Sequence, residues 1–312
     1  MTLTELRYIV AVAREKHFGR AADACYVSQP TLSVAIRKLE DQLGLQLFER
    51  SKTSIKVTPK GLTIIAQAQR VLEEAEKIKQ IAEESHDQLE GIFRLGAVHT
   101  IGPYLLPNLV KQAKLIAPKM PLILEEDFTV NLRKKLRNGD LDAIIVALPF
   151  NEAEVNAVRL YKEPFVALLP QEHSRVQQDS ISVKELLSSS LLLLGQGHCF
   201  RDQIIDHCLK TVNGEANDVP SQQLIEGSSL ETIRQMVGSG IGVSILPISA
   251  CQPLMMENTL VVCRPMDSIK PSRTVAIAYR QSFPRIKAIE LLIQAIRRTD
   301  IFGVEYLNES AL

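Results

Sequence analysis

The sequence has no apolar run near the roughly 18 residues that a membrane-crossing helix needs. Its first stretch carries Glu5, Arg7, Arg14, Glu15, Lys16 and Arg20. It therefore lacks the apolar block of a secretory signal, and a cytoplasmic location without membrane contact is expected. Cysteine is scarce, with five widely scattered in 312 residues. That odd number does not suit a secreted disulfide framework. In a reducing compartment a cysteine pair points to metal, catalysis or redox sensing rather than to a staple. Net charge is also missing, 36 Lys+Arg standing against 36 Asp+Glu. What is plentiful is apolar: 46% of residues are hydrophobic. That supports buried cores, excludes a disordered chain, and at this length suits a small domain plus a bilobed one.

The zero net charge hides an uneven distribution. Residues 1–65 hold 10 Lys+Arg and 6 Asp+Glu, residues 66–90 hold 3 and 7, and the remainder is balanced. A basic head, an acidic connector and a neutral body suit a nucleic-acid binder joined to a sensor.

The head has helical periodicity. Leu3, Leu6, Val10 and Ala13 fit one helical face, and Phe18, Ala21, Ala22 and Cys25 fit a second. After a break at Tyr26-Val27, Ser28 is a suitable N-cap and Pro30 falls in the first turn, where its missing N–H costs little. Leu32, Ile36, Leu39 and Leu43 form an inward stripe, and Gly44 ends the helix. The opposite face carries Pro30, Ser33, Val34, Arg37 and Lys38, with Gln29 and Thr31 at the exposed first turn. Such a helix can meet base edges with its N-terminal turn while its cations reach phosphates. The segment 47–58 reads as a hairpin whose Arg50, Lys52 and Lys56 would lie beside the duplex. The expectation is a winged helix-turn-helix on double-stranded DNA, and the competing reading is a helical bundle with a solvated face.

The strings Phe18-Gly19-Arg20-Ala21-Ala22, Val27-Ser28-Gln29-Pro30-Thr31-Leu32-Ser33, Ile36-Arg37-Lys38-Leu39-Glu40 and Leu47-Phe48-Glu49-Arg50 agree in type and spacing with one pattern over about 60 positions. In these the chain resembles the N-terminal domain of LysR-type transcription regulators. That resemblance implies a DNA-binding domain at 1–60, a linker helix at 61–90 that pairs two subunits, and a two-lobed regulatory domain at 91–312. Residues 64, 68, 71, 75, 78, 82, 85 and 89 alternate in spacings of four and three, an a/d heptad of small and apolar residues. The seam reads either as a dimer interface or as a solvated helix packed on its own domain. Two heads on one coiled coil would match a two-fold operator.

The body alternates strand and helix patterns, which implies an α/β fold with a parallel sheet. The resemblance makes this a two-lobed, type 2 periplasmic-binding-protein-like domain, with lobes at about 91–163 plus 265–312 and about 164–264. Thr100 and Thr129 each follow a strand and precede a helix, so they either face the cleft or simply cap. Gly238-Ser239-Gly240-Ile241-Gly242 follows a helix and opens a strand, so it is not a nucleotide fingerprint.

Gly195-Gln196-Gly197-His198-Cys199 places Cys199 after a glycine-rich turn at an expected helix start. The helix dipole, His198 if protonated, and Arg201 would favour thiolate, the form that attacks peroxide oxygen. Cys208 lies nine residues on. On one helix that is roughly 13 Å of rise and the opposite face. A disulfide needs Cα atoms within about 7 Å, so the helix would have to unwind for the two to join. Zinc held by the two His-Cys dipeptides, inert burial, and an enzyme nucleophile remain open alternatives. Cys25, Cys251 and Cys263 read as inert core residues.

The string Gly197-His198-Cys199-Phe200-Arg201-Asp202-Gln203, with Cys208 beyond it and Gly102-Pro103-Tyr104-Leu105-Leu106-Pro107 before it, resembles the peroxide-sensing members of the family. Phe200 departs from the smaller aliphatic residue expected there. The resemblance implies that Cys199 reacts with hydrogen peroxide and that Cys208 is its disulfide partner. It further implies a pocket containing Thr100, Thr129, His198 and Arg201. The chain would be a regulator rather than an enzyme, without cofactor, acting as a homodimer or tetramer with RNA polymerase as a further partner. The rival is a LysR-type regulator that binds a small metabolite between its lobes.

Overall fold

A computed structural model describes residues 1–50, 55–82, 88–209, 224–251, 260–267 and 270–307. It divides into two compact units, residues 1–87 with 282–284, and residues 88–281 with 285–312.

The first unit opens with α1 (Leu3–Glu15), α2 (Phe18–Ala24) and α3 (Gln29–Leu43). Thr2 and Glu5 form a reciprocal capping box on α1. Ser28 accepts from the Thr31 N–H at the start of α3, and Gly44 closes that helix at φ 66°, a conformation glycine adopts without a Cβ clash. The buried face of α1 is Leu6, Ile9 and Val12. Of the expected Leu3–Leu6–Val10–Ala13 stripe, Leu6 is buried and Val10 and Ala13 pack against the core, while Leu3 is exposed. The third helix buries Leu32, Ile36 and Leu39 as its spacing requires. Strands β1 (Phe48–Arg50) and β2 (Ile55–Val57) pair antiparallel as the wing. The carboxylate of Glu40 accepts the Leu47 and Phe48 N–H groups and ties the wing to α3.

Helix α4 (Pro59–Ala82) follows. Ala68 is buried in the head's own core, with Ile64, Ile65 and Leu72 packed beside it. The first part of the expected seam is thus used within the subunit, while Ile78 stays 69% exposed. Ser85 of the seam lies outside the described residues.

The second unit is α/β. Its elements in chain order are β3 (Phe93–Val98), α5 (Gly102–Ile116), β4 (Leu122–Asp127), α6 (Thr129–Asn138), β5 (Ala143–Ala147), β6 (Val155–Pro170), α7 (Val183–Leu186), β7 (Leu191–Leu194), α8 (Cys199–Ile204), β8 (Leu224–Gly227), α9 (Leu230–Gly238), β9 (Val243–Pro247), β10 (Val261–Pro265), β11 (Ser272–Arg280), α10 (Ile286–Arg297) and β12 (Glu305–Tyr306). The strand path is β4-β3-β5-β11-β6-β9-β7-β8, with β10 and β12 pairing β6. Among the described strands, β4-β3-β5 and β8-β7-β9 are parallel. The expected parallel sheet is therefore corrected to a mixed one, because β6 and β11 return antiparallel between the two parallel halves. The 16-residue β6 pairs β11 through its first part and β9 and β10 through its last, so one strand serves both halves. Strands β5 and β7 are buried throughout, as apolar runs covered on both faces must be. Between α9 and β9, a Cβ on Gly242 would lie 2.2 Å from the Ser190 carbonyl oxygen. That glycine permits a close backbone approach and cradles no phosphate.

Candidate functional site

The C-terminal end of β3, the start of α6 and the turn before α8 converge. Val98, His99, Thr100, Asp127, Phe128, Thr129, Gly197, His198 and Cys199 line one small cavity. It offers about 10 Å³ for the centre of a water-sized guest, about what a single water requires. The structure thus brings Thr100, Thr129, His198 and Cys199 together.

Neither threonine caps its helix. Thr100 accepts from Arg273 Nη1 at 2.8 Å, while Arg273 Nη2 donates to the Thr100 carbonyl at 2.8 Å. With its oxygen so engaged, the Thr100 hydroxyl proton is left to be donated elsewhere. Thr129 Oγ1 is buried and has no hydrogen-bond partner among the described residues. A buried hydroxyl without a partner carries a desolvation cost that a small polar guest would remove.

Arg273 was not legible as a site residue. It is fully buried and paired with the equally buried Glu163, Nε to Oε2 at 2.6 Å. Its guanidinium also lies 5.2 Å from the centre of the Phe200 ring. Phe200 is itself fully buried and stacks edge-on against Phe165 at 4.9 Å. The larger ring at this position therefore serves as an anchor for α8 and a lid on the arginine.

His99, Phe128 and His198 form a three-ring wall with centroid separations of 4.7–5.9 Å. Burial and the neighbouring His99 push the His198 pKa down, against a backbone hydrogen bond with Ser228. The condition that His198 be protonated is thus disfavoured, since an imidazolium would be desolvated there. Burial raises Asp127, but hydrogen bonds from Lys135, Asn131 and the Phe128 N–H outweigh it and hold the carboxyl low. His99, Asp127 and Phe128 were missed, although each adjoins a threonine singled out from its strand–helix junction or lies one residue further back.

Arg201 does not line the cavity. Its guanidinium donates to the Leu194 carbonyl at 2.8 Å and pairs with Glu226 at 2.7 Å. Cys199 opens α8, and a π-helical turn, Ile205–Leu209, continues it. Cys208 sits in that turn, fully buried in an apolar core that includes Phe200, Ile204 and Cys251. Burial pushes its thiol up to about 12. The two sulfurs thus stand in different surroundings along continuous helical backbone. Among the described residues no group of three His, Cys, Asp or Glu side chains is placed to hold a metal ion.

In the head, Ser28, Gln29, Pro30, Thr31, Arg37 and Lys38 are exposed, Ser33 is half-buried, and Val34 is 65% exposed. Arg50 ends β1, and Lys52 lies outside the described residues. Tyr26, in the turn leading to α3, is 97% exposed at φ 56°. The sequence marks it only as a break, yet an aromatic side chain standing in solvent beside this helix joins the candidate interface. Cys25 packs against the head core, and burial raises its pKa. Cys251 and Cys263 are not the inert thiols expected: they are bonded as a disulfide.

Comparison with known proteins agrees with this architecture. Residues 3–62 match the bacterial regulatory helix-turn-helix protein, lysR family, and residues 86–300 match the LysR substrate binding domain. The chain belongs to the LysR family of bacterial regulators. Within that family it is similar to OxyR. It is 36% identical over 297 residues to the DNA-binding transcriptional dual regulator OxyR of Escherichia coli K12, covering 95% of each chain. It is 50% identical to full-length OxyR from Pseudomonas aeruginosa, solved as a cysteine-to-aspartate variant, with a TM-score of 0.85 over 100% of this chain and 99% of that one. A peroxide-bound cysteine mutant of Corynebacterium glutamicum OxyR is 31% identical, with a TM-score of 0.63 over 95% and 92%.

Proposed function

We propose that this chain is a peroxide-responsive transcription regulator whose switch is oxidation of Cys199 followed by a disulfide with Cys208. The observation that carries the reading is the cavity itself. Cys199 and the buried Thr129 hydroxyl, which has no partner among the described residues, both line it, and its size suits a very small polar guest.

The chemistry follows from the surroundings. The Cys199 sulfur attacks one peroxide oxygen, the O–O bond breaks, and the second oxygen leaves as water. Thr129 and Thr100 are positioned to donate to the oxygen on which charge develops, and Arg273 orients Thr100. Neutral His198 supplies a ring nitrogen at the same wall. Cys208, buried and held as a thiol, is protected from direct attack. It meets the Cys199 sulfenic acid only after α8 opens, forming the S–S bond and releasing a second water. Opening withdraws Phe200 from the core, parts Arg201 from Glu226, and breaks the hydrogen bond from Gln203 to the Leu148 carbonyl. Local unwinding thereby changes contacts well beyond the cavity. Arg201 acts here by anchoring α8 and touches no guest.

For the head, Gln29, Thr31, Ser33 and Val34 read base edges and thymine methyls in our reading, while Ser28, Arg37, Lys38, Arg50 and Lys52 position the backbone. Domains at 1–60, 61–90 and 91–312, with lobes divided at about 163 and 264, complete the plan. Exposed Val71 and Ile78 of α4 support pairing of two copies through the linker. Tetramers on an operator, contact with RNA polymerase, cytoplasmic action, and a regulatory rather than catalytic role extend the same proposal. Among the described residues no helix is long and apolar enough to cross a membrane.

The test is Cys199→Ser, read as promoter output and as peptide mass. Peroxide is expected to raise output and to cross-link Cys199 with Cys208 in the unsubstituted chain, and to do neither in the variant. A variant that still switches with peroxide refutes the redox reading.

A further inference from the structure

Nothing in the sensing reaction uses Cys251 and Cys263, yet they are bridged. Cys251 ends a 3-10 turn, Ile248–Cys251, directly after β9, and Cys263 lies in the middle of β10. Their Cα atoms are 6.5 Å apart, within the span a disulfide allows. Cys251 is fully buried, in the same core as Cys208, and Cys263 is partly exposed at its margin.

The turn that Cys251 ends is wired to the cavity. Ser249 N–H donates to Glu163 Oε1 at 3.2 Å, and the other oxygen of that carboxylate accepts from Arg273 Nε at 2.6 Å. Arg273 in turn holds both the hydroxyl and the carbonyl of Thr100, which lines the cavity. Glu163, Arg273, Ser249 and Thr100 are all buried, so water does not screen or substitute for these bonds.

We propose that Cys251 and Cys263 are a second redox pair, whose disulfide pins the Ile248–Cys251 turn to β10 and thereby steadies the Ser249–Glu163–Arg273–Thr100 chain that frames the cavity. Cys263, the more accessible sulfur, reacts first with hydrogen peroxide: an S–O bond forms, the O–O bond breaks, and one water leaves. The Cys251 sulfur then attacks it, forming S–S and breaking S–O, and the second oxygen leaves as water with the remaining thiol proton. Two thiols lose two electrons and peroxide gains them. A dithiol reductant of the thioredoxin class reverses the step by exchange. The pairing stands by itself, whereas the coupling to the cavity rests on the peroxide function proposed above.

The full chain carrying Cys199→Ser and Cys208→Ser is reduced, exposed to peroxide, alkylated and digested without reductant. A peptide pair joined through Cys251 and Cys263 is expected. Both cysteines recovered alkylated, or a bridge to another partner, overturns the pair. If the double variant fails to fold, the same map on the unsubstituted chain separates the two bridges by mass. With Cys199 intact, Cys263→Ala is expected to slow Cys199 sulfenic acid formation, trapped with dimedone, roughly threefold or more. An unchanged rate overturns the coupling. A Cys199 that resists peroxide in both chains overturns the sensing function and the coupling with it, while the peptide map still decides the pair.

Discussion

The head and the sensing unit use polar side chains in opposite ways. In the head, the candidate DNA-contacting groups of α3 stand in solvent above a core of Leu32, Ile36 and Leu39. In the sensing unit, Thr100, His198, Glu163 and Arg273 are buried and bonded to one another or to backbone. A duplex brings a large surface of its own, so the reader of DNA needs only a stiff, exposed face. A guest of two oxygens brings almost no surface, so its reader must surround it with donors fixed in advance. The difference predicts where substitution will be costly: in the sensing unit polar changes should harm stability or chemistry, and in the head they should alter affinity alone.

The strongest way to sharpen this contrast is Arg273→Ala. It leaves Glu163 as a buried, uncompensated charge, and a loss of about 3–5 kcal/mol in unfolding free energy is expected from denaturant midpoints. Adding Glu163→Gln should recover part of it. Next comes Thr129→Val, whose hydroxyl has no partner to lose among the described residues. Stability is expected to hold, while the rate of Cys199 oxidation falls roughly 10²-fold, as when one preorganised donor is removed. An unchanged rate would remove Thr129 from the chemistry. In the head, Arg37→Ala should leave stability within about 0.5 kcal/mol. Operator affinity should weaken evenly across sequences, with the slope of log affinity against log salt smaller by about 1. If Arg37→Ala instead relaxes specificity at one base pair, the division between positioning and reading along α3 is wrong.

The smallest effect concerns pH. The pKa of His198 is lowered on folding from an ordinary 6.5, so the unfolded chain takes up its proton first as pH falls. Stability is therefore unaffected well above that value and declines as pH drops below it toward the depressed folded pKa. His198→Gln should flatten that part of the profile of denaturant midpoint against pH, and an identical profile would place the titration elsewhere.

Several features were legible because they are local. The cap at Ser28, the C-terminal Gly44, and the apolar stripe of α3 lie within a few residues of the partners they need. The helix start at Cys199 was read from its glycine-rich turn in the same way. Strand β6 escaped notice because its first part carries Asn156, Arg159, Lys162 and Glu163, a pattern that does not look like a central strand. Glu163 becomes tolerable there only through Arg273, 110 residues away. The heptad of α4 was visible, but spacing alone cannot tell which surface a seam meets. Ile64 and Ala68 turn out to face their own head.

Sequence by itself determined the helix-turn-helix, its family, and the separation of Cys199 and Cys208 along one helix, because each depends on neighbours in the chain and on fixed helical geometry. Only the tertiary structure decided that Thr100 answers to Arg273, that Arg201 turns away to Glu226, and that Cys251 bonds Cys263. Those pairings join distant segments, and their energies depend on exclusion of water, which no local pattern of residues records.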